Sequence, residues 1–408
     1  MVEIDGDRLV AKMEEQAEIG GTENGGLHRL TLSDADKEIR EWFTAECAGL
    51  GMDVRVDEFG NMFARREGRE DRDPVLLGSH LDSQPYGGIY DGALGVVSAL
   101  EYVRALEDAG VRTAHPIEVV NWTNEEGSRF QPALQGSGVW AGVHDLQEQY
   151  DATDVEGHRF EDELERIGYK GEVPAEPAED YAAYLELHIE QGPYLEEADA
   201  SVGVVTGIVG FTWGAITFEG RADHSGPTPM HTRQDALVAA ADVITQIRRI
   251  PSALGPRTVG TVGYMDVQPN SINIVPREVT MTWGFRDPDD DVVEEARDRV
   301  LAEAAAAADR EGIDWSFEDR MLAGSVRFAD EVVDAVGAAA EALDHPHMEI
   351  FSGAGHDATH AHKVCPTGMV FAPSVDGISH SEDEYTPWED CIRAAEVYAH
   401  AAHELATA

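Results

Sequence analysis

The sequence predicts an α/β protein with a smaller α+β body inserted into it, and three observations carry that expectation. Short apolar runs alternate with amphipathic stretches of helical length through the first half of the chain and again near its end. Between them, from about residue 210 to 324, the order becomes strand–helix–strand–strand–helix–strand. The length of 408 residues also exceeds the ~250–300 at which single cores stop growing.

Taken in order, PVLLGS (74–79) reads as a buried strand. Residues 93–106 read as a helix, with apolar side chains at 94, 96, 97, 100, 103 and 106. PIEVVNW (116–122) is a second strand. An acidic, proline-bearing stretch over 150–180 reads as a surface excursion, and YAAYLELHIEQG (181–192) returns the chain to the core. In the inserted body, 211–220, 260–267, 278–285 and 313–317 read as strands, 235–250 and 289–309 as helices. A helix over 387–406 closes the chain. The expected organisation is a discontinuous domain of 1–209 and 325–408, with a mixed sheet flanked by helices, and an inserted domain of 210–324.

The charge narrows the setting. Asp and Glu number 79 against 30 Lys and Arg, a net −49, and only Lys12, Lys37, Lys170 and Lys363 are lysines. The acids run the whole length of the chain, whereas an interaction segment would gather them in one tail. A dispersed acidic surface fits concentrated salt, where repulsion is screened within about 3 Å at 1 M; the expectation is a cytoplasmic protein of a salt-accumulating organism. The same charge repels phosphates and anionic lipids, so neither nucleic acid nor membrane is an expected partner. No apolar run reaches the ~20 residues of a membrane span, and the acidic N-terminus does not read as a secretory signal. Cys47, Cys365 and Cys391 form no CxxC pair, so disulfides and a thiolate zinc site are not expected.

Imidazoles and carboxylates instead gather just after predicted strands, where open α/β sheets hold their ligands. GSHLDSQPYGGIYDGALG carries His80 and Asp91, NWTNEEGSRF carries Glu125 and Glu126, ELHIEQGP carries His188 and GISHSEDE carries His380. Such a set suits zinc or a related divalent ion. A single histidine after a strand is more often a hydrogen-bonded structural residue, and a Glu–Glu pair more often a solvated face. The weight lies in their joint placement after apolar strands, among glycines that permit close backbone approach.

With GRADHSGPTPM, PNSINIVP, FRDPD, GAGHDA and APSVDGISHSEDEYT added, the pattern resembles the M20 metallopeptidase family, in its carbamoylase and allantoate-amidohydrolase branch. The resemblance implies a zinc-peptidase-like catalytic domain plus an inserted ferredoxin-like lid that also dimerises. It implies two divalent ions (zinc, manganese, cobalt or nickel) bridged by Asp91, one also held by His80 and His188, the other by Glu126 and His380. Glu125 resembles the family's general base and His224 its oxyanion-stabilising lid histidine. Arg286 and Asn273 resemble the grip on a substrate carboxylate, while Gln191, Gly355 and His356 would line the pocket. Gly284 departs from the pattern, since related sequences often carry an acid there. The implied activity is hydrolysis of an N-carbamoyl-L-amino acid, a small carboxylate-bearing ureido substrate. Allantoate hydrolysis, aminoacylase or dipeptidase activity, and a non-catalytic binding role are the alternatives.

Overall fold

In the computed structural model, which describes residues 2–408, the chain divides into two compact units. One comprises residues up to Thr206 with Arg327–Ala408, the other Gly207–Val326. The first unit is an α/β body. Its sheet runs Asp53–Val56, Met62–Arg66, Ile117–Trp122, Val75–His80, Ala183–Ile189, Thr367–Ala372 and Val202–Ile208, in that spatial order. The middle four, from Ile117–Trp122 to Thr367–Ala372, are mutually parallel; the flanking pairs are antiparallel.

Sequence explains this order. VLLGSH, IEVVNW, AYLELHI and TGMVFA are buried along their whole length, as parallel strands covered on both faces require. The helix Ala93–Asp108 is buried without a break from Ala93 to Val103, so it belongs to the core and has no wet face to satisfy. Its buried acid, Glu101, accepts Arg8 Nε and Nη2, each at 2.8 Å, which docks the helix Gly6–Ala17. Glu101 also accepts from Asp5 N–H at 2.9 Å, so removing Arg8 would leave a buried carboxylate with one remaining donor and loosen this docking. The helices Asp330–Ala342 and Trp388–Thr407 close the same apolar cluster.

The stretch 150–180 departs from expectation. It holds the helix Phe160–Ile167, whose Phe160, Leu164 and Ile167 share one face and pack on Phe59, Phe130 and Tyr150. Phe59 and Phe160 stack at 4.6 Å. Acids on the outer face hide this second small core from a composition reading. The helices Gly6–Ala17 and Asp34–Gly49, capped by Asp5 and Ser33, lie outside the sequence expectations altogether.

The second unit is an antiparallel sheet with helices Ala236–Leu254 and Asp290–Glu311 packed on one face. Its strand order is Met265–Gln268, Glu278–Asp287, Gly210–Glu219, Asp314–Ala323, with Val259–Thr261 also pairing to Glu278–Asp287. Residues 260–267, expected as one strand, form two. Gly260 packs under Phe285, where an added Cβ would lie 2.7 Å from the ring, and the chain leaves the ladder before Met265. The strand Asp314–Ala323 outruns the expected 313–317, with a register shift between Asp319 and Met321. It is exposed along most of its length, so no apolar alternation marks its second half.

Candidate metal centre

Because the four central strands are parallel, their C-terminal ends open on one edge, with neighbours only ~4.8 Å apart. His80 is the last residue of Val75–His80, and His188 sits one residue before the end of Ala183–Ile189. Glu125 and Glu126 follow Ile117–Trp122, and His380 follows Thr367–Ala372 and a short helical turn. Asp91 lies where all of them converge. His188 Nε2 is 3.1 Å and His80 Nε2 3.4 Å from Asp91 Oδ1; His380 Nε2 is 3.5 Å from Asp91 Oδ2 and 3.6 Å from Glu126 Oε2. Two three-residue groups result, His80–Asp91–His188 and Asp91–Glu126–His380, each with its ligand atoms within 4.8 Å of one another and Asp91 common to both.

The chemistry of this donor set fits a divalent cation. His80 Nδ1 and His188 Nδ1 each face a backbone carbonyl at 3.0 Å, of Asp82 and Ile189. A carbonyl only accepts, so Nδ1 keeps a hydrogen and Nε2 is the nitrogen that faces Asp91; His188 Nε2 also accepts from Gly92 N–H at 3.2 Å. His80 Nε2 and Asp91 Oδ1 are buried with no hydrogen-bond partner among the described residues. Burial opposes charge on His80, yet Glu125, Asp91 and Asp82 outweigh it and hold its pKa well above the usual value. Burial likewise opposes charge on Asp91, but His188, His380 and His80 hold its carboxyl well below the carboxylate range. Glu126 is pushed up to about 8 by burial and by the Asp91 charge. Burial raises Glu125 well above its ordinary value, with Asp357, Glu126 and Asp91 adding to it against His80.

The loop bearing the two glutamates is held by groups that the sequence reading missed. Asp82 accepts the backbone N–H of Glu125 at 3.2 Å on one oxygen and that of Glu126 at 3.3 Å on the other. Asn124 takes a left-handed φ of 56° and ties its amide to Phe130 O and Gln135 Oε1. Glu384, buried, accepts from Asp91 N, His380 N and Ser379 Oγ, bracing segments 289 residues apart in sequence. The only signal for Asp82 and Glu384 was their spacing, two residues after His80 and four after His380. Gly92 closes the site from below: its φ is 64°, and a Cβ there would lie 2.3 Å from the His80 ring.

The remaining candidates fall into two places. In the first unit, Gln191 Nε2 donates to Asp91 Oδ2 at 2.7 Å and lies 3.3 Å from His380 Nε2. His356 is 1% exposed, bonded to Ser352 Oγ at 2.8 Å with its ring 4.4 Å from His188, so it packs behind a metal-site histidine in place of facing an open pocket. Gly355 is exposed beside Leu134. In the second unit, His224 pairs with Ile274 on a two-strand ribbon, and Ser225 N–H donates to Asn273 O, so His224 and Asn273 stand side by side. Arg286 faces Phe211 across the sheet, 5.8 Å from the ring, and burial lowers its pKa. The space that Gly284 leaves beside it is filled by the Trp213 indole.

Residues 76–404 match the family model described as peptidase family M20/M25/M40. The chain is 44% identical over 404 residues to an N-carbamoyl-L-amino-acid amidohydrolase of Rhizobium meliloti, covering 99% of this chain and 97% of that protein. It is 32% identical over 392 residues to an allantoate amidohydrolase of Escherichia coli, covering 95% of each. A crystal structure of an amidase of the hydantoinase/carbamoylase family from Burkholderia multivorans superposes with a TM-score of 0.95 at 45% identity, covering 100% of this chain and 99% of that one.

Proposed function

The chain belongs to peptidase family M20/M25/M40, and from that membership we propose an amidohydrolase that cleaves the carbamoyl C–N bond of N-carbamoyl-L-amino acids. The observation that carries the reading is Asp91 shared by two three-ligand groups, one fully buried and one open to solvent at His380, with Glu125 beside them. Identity of 44% over nearly the full chain to a carbamoyl-amino-acid enzyme, against 32% to an allantoate enzyme, favours the first substrate.

His80, Asp91 and His188 would hold one ion, and Asp91, Glu126 and His380 a second; zinc, manganese, cobalt and nickel all suit these ligands. Such ions, when bound, supply Lewis acidity that polarises a carbonyl and eases loss of a proton from water. Glu125 is the proton carrier. Its carboxylate stands beside the ligand groups, 3.5 Å from His80 Nε2, placed to take a proton from water and return it to the leaving nitrogen. Arg286 and Asn273 grip the substrate carboxylate, Gln191 and Gly355 line its path, and His224 steadies the developing oxyanion. His356 acts through His188. Products are the amino acid, carbon dioxide and ammonia.

The unit Gly207–Val326 serves as a ferredoxin-like lid and dimerisation body. Its support is an antiparallel sheet backed by two helices and a run of exposed apolar side chains that includes Trp213, Tyr264, Phe317, Met321 and Leu322. The charge of −49 supports a halophilic setting, and three buried free cysteines support a cytoplasmic one. Among the described residues no helix is long and apolar enough to cross a membrane.

The test is ammonia release by Mn²⁺- or Zn²⁺-loaded protein from N-carbamoyl-L-amino acids, allantoate, N-acetyl amino acids and dipeptides. Turnover of the carbamoyl substrates that drops about 10²–10⁴-fold in Glu125→Gln, with metal content unchanged, is the expected result. Turnover of allantoate alone would move the substrate. No turnover of any substrate with two ions bound would remove Glu125 from its role.

A further inference from the structure

Glu125 and Glu126 are adjacent, equally acidic in model compounds and equally buried, yet the reading above asks one to carry protons and the other to hold an ion. We infer that Gln84 makes the distinction: it is a positioning residue that fixes Glu126, and only Glu126, as a metal ligand. Gln84 N donates to Glu126 Oε1 at 2.9 Å, and Gln84 Nε2 donates to Oε2 at 2.7 Å and to the Glu126 carbonyl at 3.3 Å. The two carboxylate oxygens are therefore gripped by one residue through two separate N–H groups. A carboxylate has about four lone-pair positions, so this fork occupies two and leaves the others directed to the side where His380 and Asp91 lie.

The fork is itself fixed. Ser128 Oγ donates to Gln84 Oε1 at 2.7 Å, which orients the amide with its nitrogen toward Glu126, and Ser83 Oγ donates to the Gln84 carbonyl at 3.0 Å. The Glu125 carboxylate takes none of these hydrogens; it faces His80 Nε2 at 3.5 Å. One glutamate is thus locked in rotation, while the other keeps the freedom that carrying a proton between two atoms requires. Partners that orient a ligand in this way typically change metal affinity 10–100-fold when removed.

The inference rests on the two-ion reading and is tested apart from activity. Wild type, Gln84→Ala, Gln84→Glu and Ser128→Ala are titrated with Zn²⁺ and with Mn²⁺ against a chelating indicator, with thermal unfolding followed by circular dichroism. The expected result is two binding steps in the wild type. One step weakens 10–100-fold in both Gln84 variants and by less in Ser128→Ala, while the other stays within about twofold and the metal-free melting temperature is unchanged. A purely structural role would lower the melting temperature and weaken both steps together. Should the Gln84 variants fail to fold, Ser128→Ala decides by the same selective loss. Two steps identical in every protein overturn the role of Gln84 alone; a wild type with a single step overturns the two-ion reading.

Discussion

His380 and His360 of the first unit sit in opposite electrostatic surroundings, and the contrast shows what each is for. His80 and His380 sit among carboxylates, and His380 is pushed up to about 9 by its contact with Asp91. His360 lies in another part of the unit, buried against the His144 ring at 5.2 Å, and burial, helped by His144 and Lys363, brings its pKa down to about 3. No acid faces it. Folded protein therefore keeps His360 neutral where the unfolded chain, at about 6.5, would bind a proton. Between pH 6.5 and about 3 the unfolded state holds more protons, so stability present above pH 6.5 is lost as pH falls through that window. His360→Phe keeps a ring against His144 and removes the titration. Urea unfolding of both proteins in chelator at pH 7, 6, 5 and 4 should show the variant losing stability less steeply, by at most about 1.4 kcal/mol per pH unit. Parallel pH profiles would mean that His360 is protonated in the fold.

At the scale of elements, the site is a consequence of four parallel strand ends and of the turn that lets Asp91 meet them. Gly92 begins the helix Ala93–Asp108 with φ of 64°, and the His80 ring occupies the place of its missing side chain. Gly110, with φ of 61° and nothing within 4 Å, pays only the backbone cost of a side chain, about 1 kcal/mol. Gly92→Ala should cost clearly more than Gly110→Ala in denaturant unfolding and should weaken metal binding, which Gly110→Ala leaves alone. Equal effects would show that His80 can move aside at no penalty. Much of this arrangement was legible beforehand, because largely apolar strands followed by His, Asp or Glu are conspicuous in sequence. The groups that were not legible act on backbone: Asp82 and Glu384 grip N–H groups, and a hydrogen bond to backbone leaves no partner residue to recognise. The helix Asp34–Gly49 was hidden for another reason. Its buried face includes Asp36 and Arg40, paired at 2.9 Å, so charge interrupts the apolar period. The expected pocket role of His356 was read from its motif, whereas its burial is set by packing against His188 and Phe371.

For the whole molecule, the decisive quantity is the imbalance between acids and bases. Arginine and lysine supply 30 positive charges, and many are already committed: Arg8 to Glu101 and Asp108, Arg40 to Asp36, Lys170 to Glu161 and Glu165. What is left over is negative, as at Asp291 and Glu294 on the helix Asp290–Glu311. In dilute buffer these charges repel across a Debye length of about 10 Å at 0.1 M, which destabilises the compact state. By 1 M the length is about 3 Å, and screening has little more to give. Screening alone thus predicts a melting temperature that climbs to about 1 M KCl and then levels. A surface adapted to concentrated salt predicts a continued climb to 3 M, because carboxylates there also hold cations and water that only the folded arrangement organises. Melting curves of metal-loaded protein at 0.1, 0.5, 1, 2 and 3 M KCl separate the two. A plateau beyond 1 M would remove the halophilic reading and leave repulsion as the whole effect. A flat response from 0.1 M upward would show that ion pairing already neutralises the surface field, and the −49 would carry no consequence for stability.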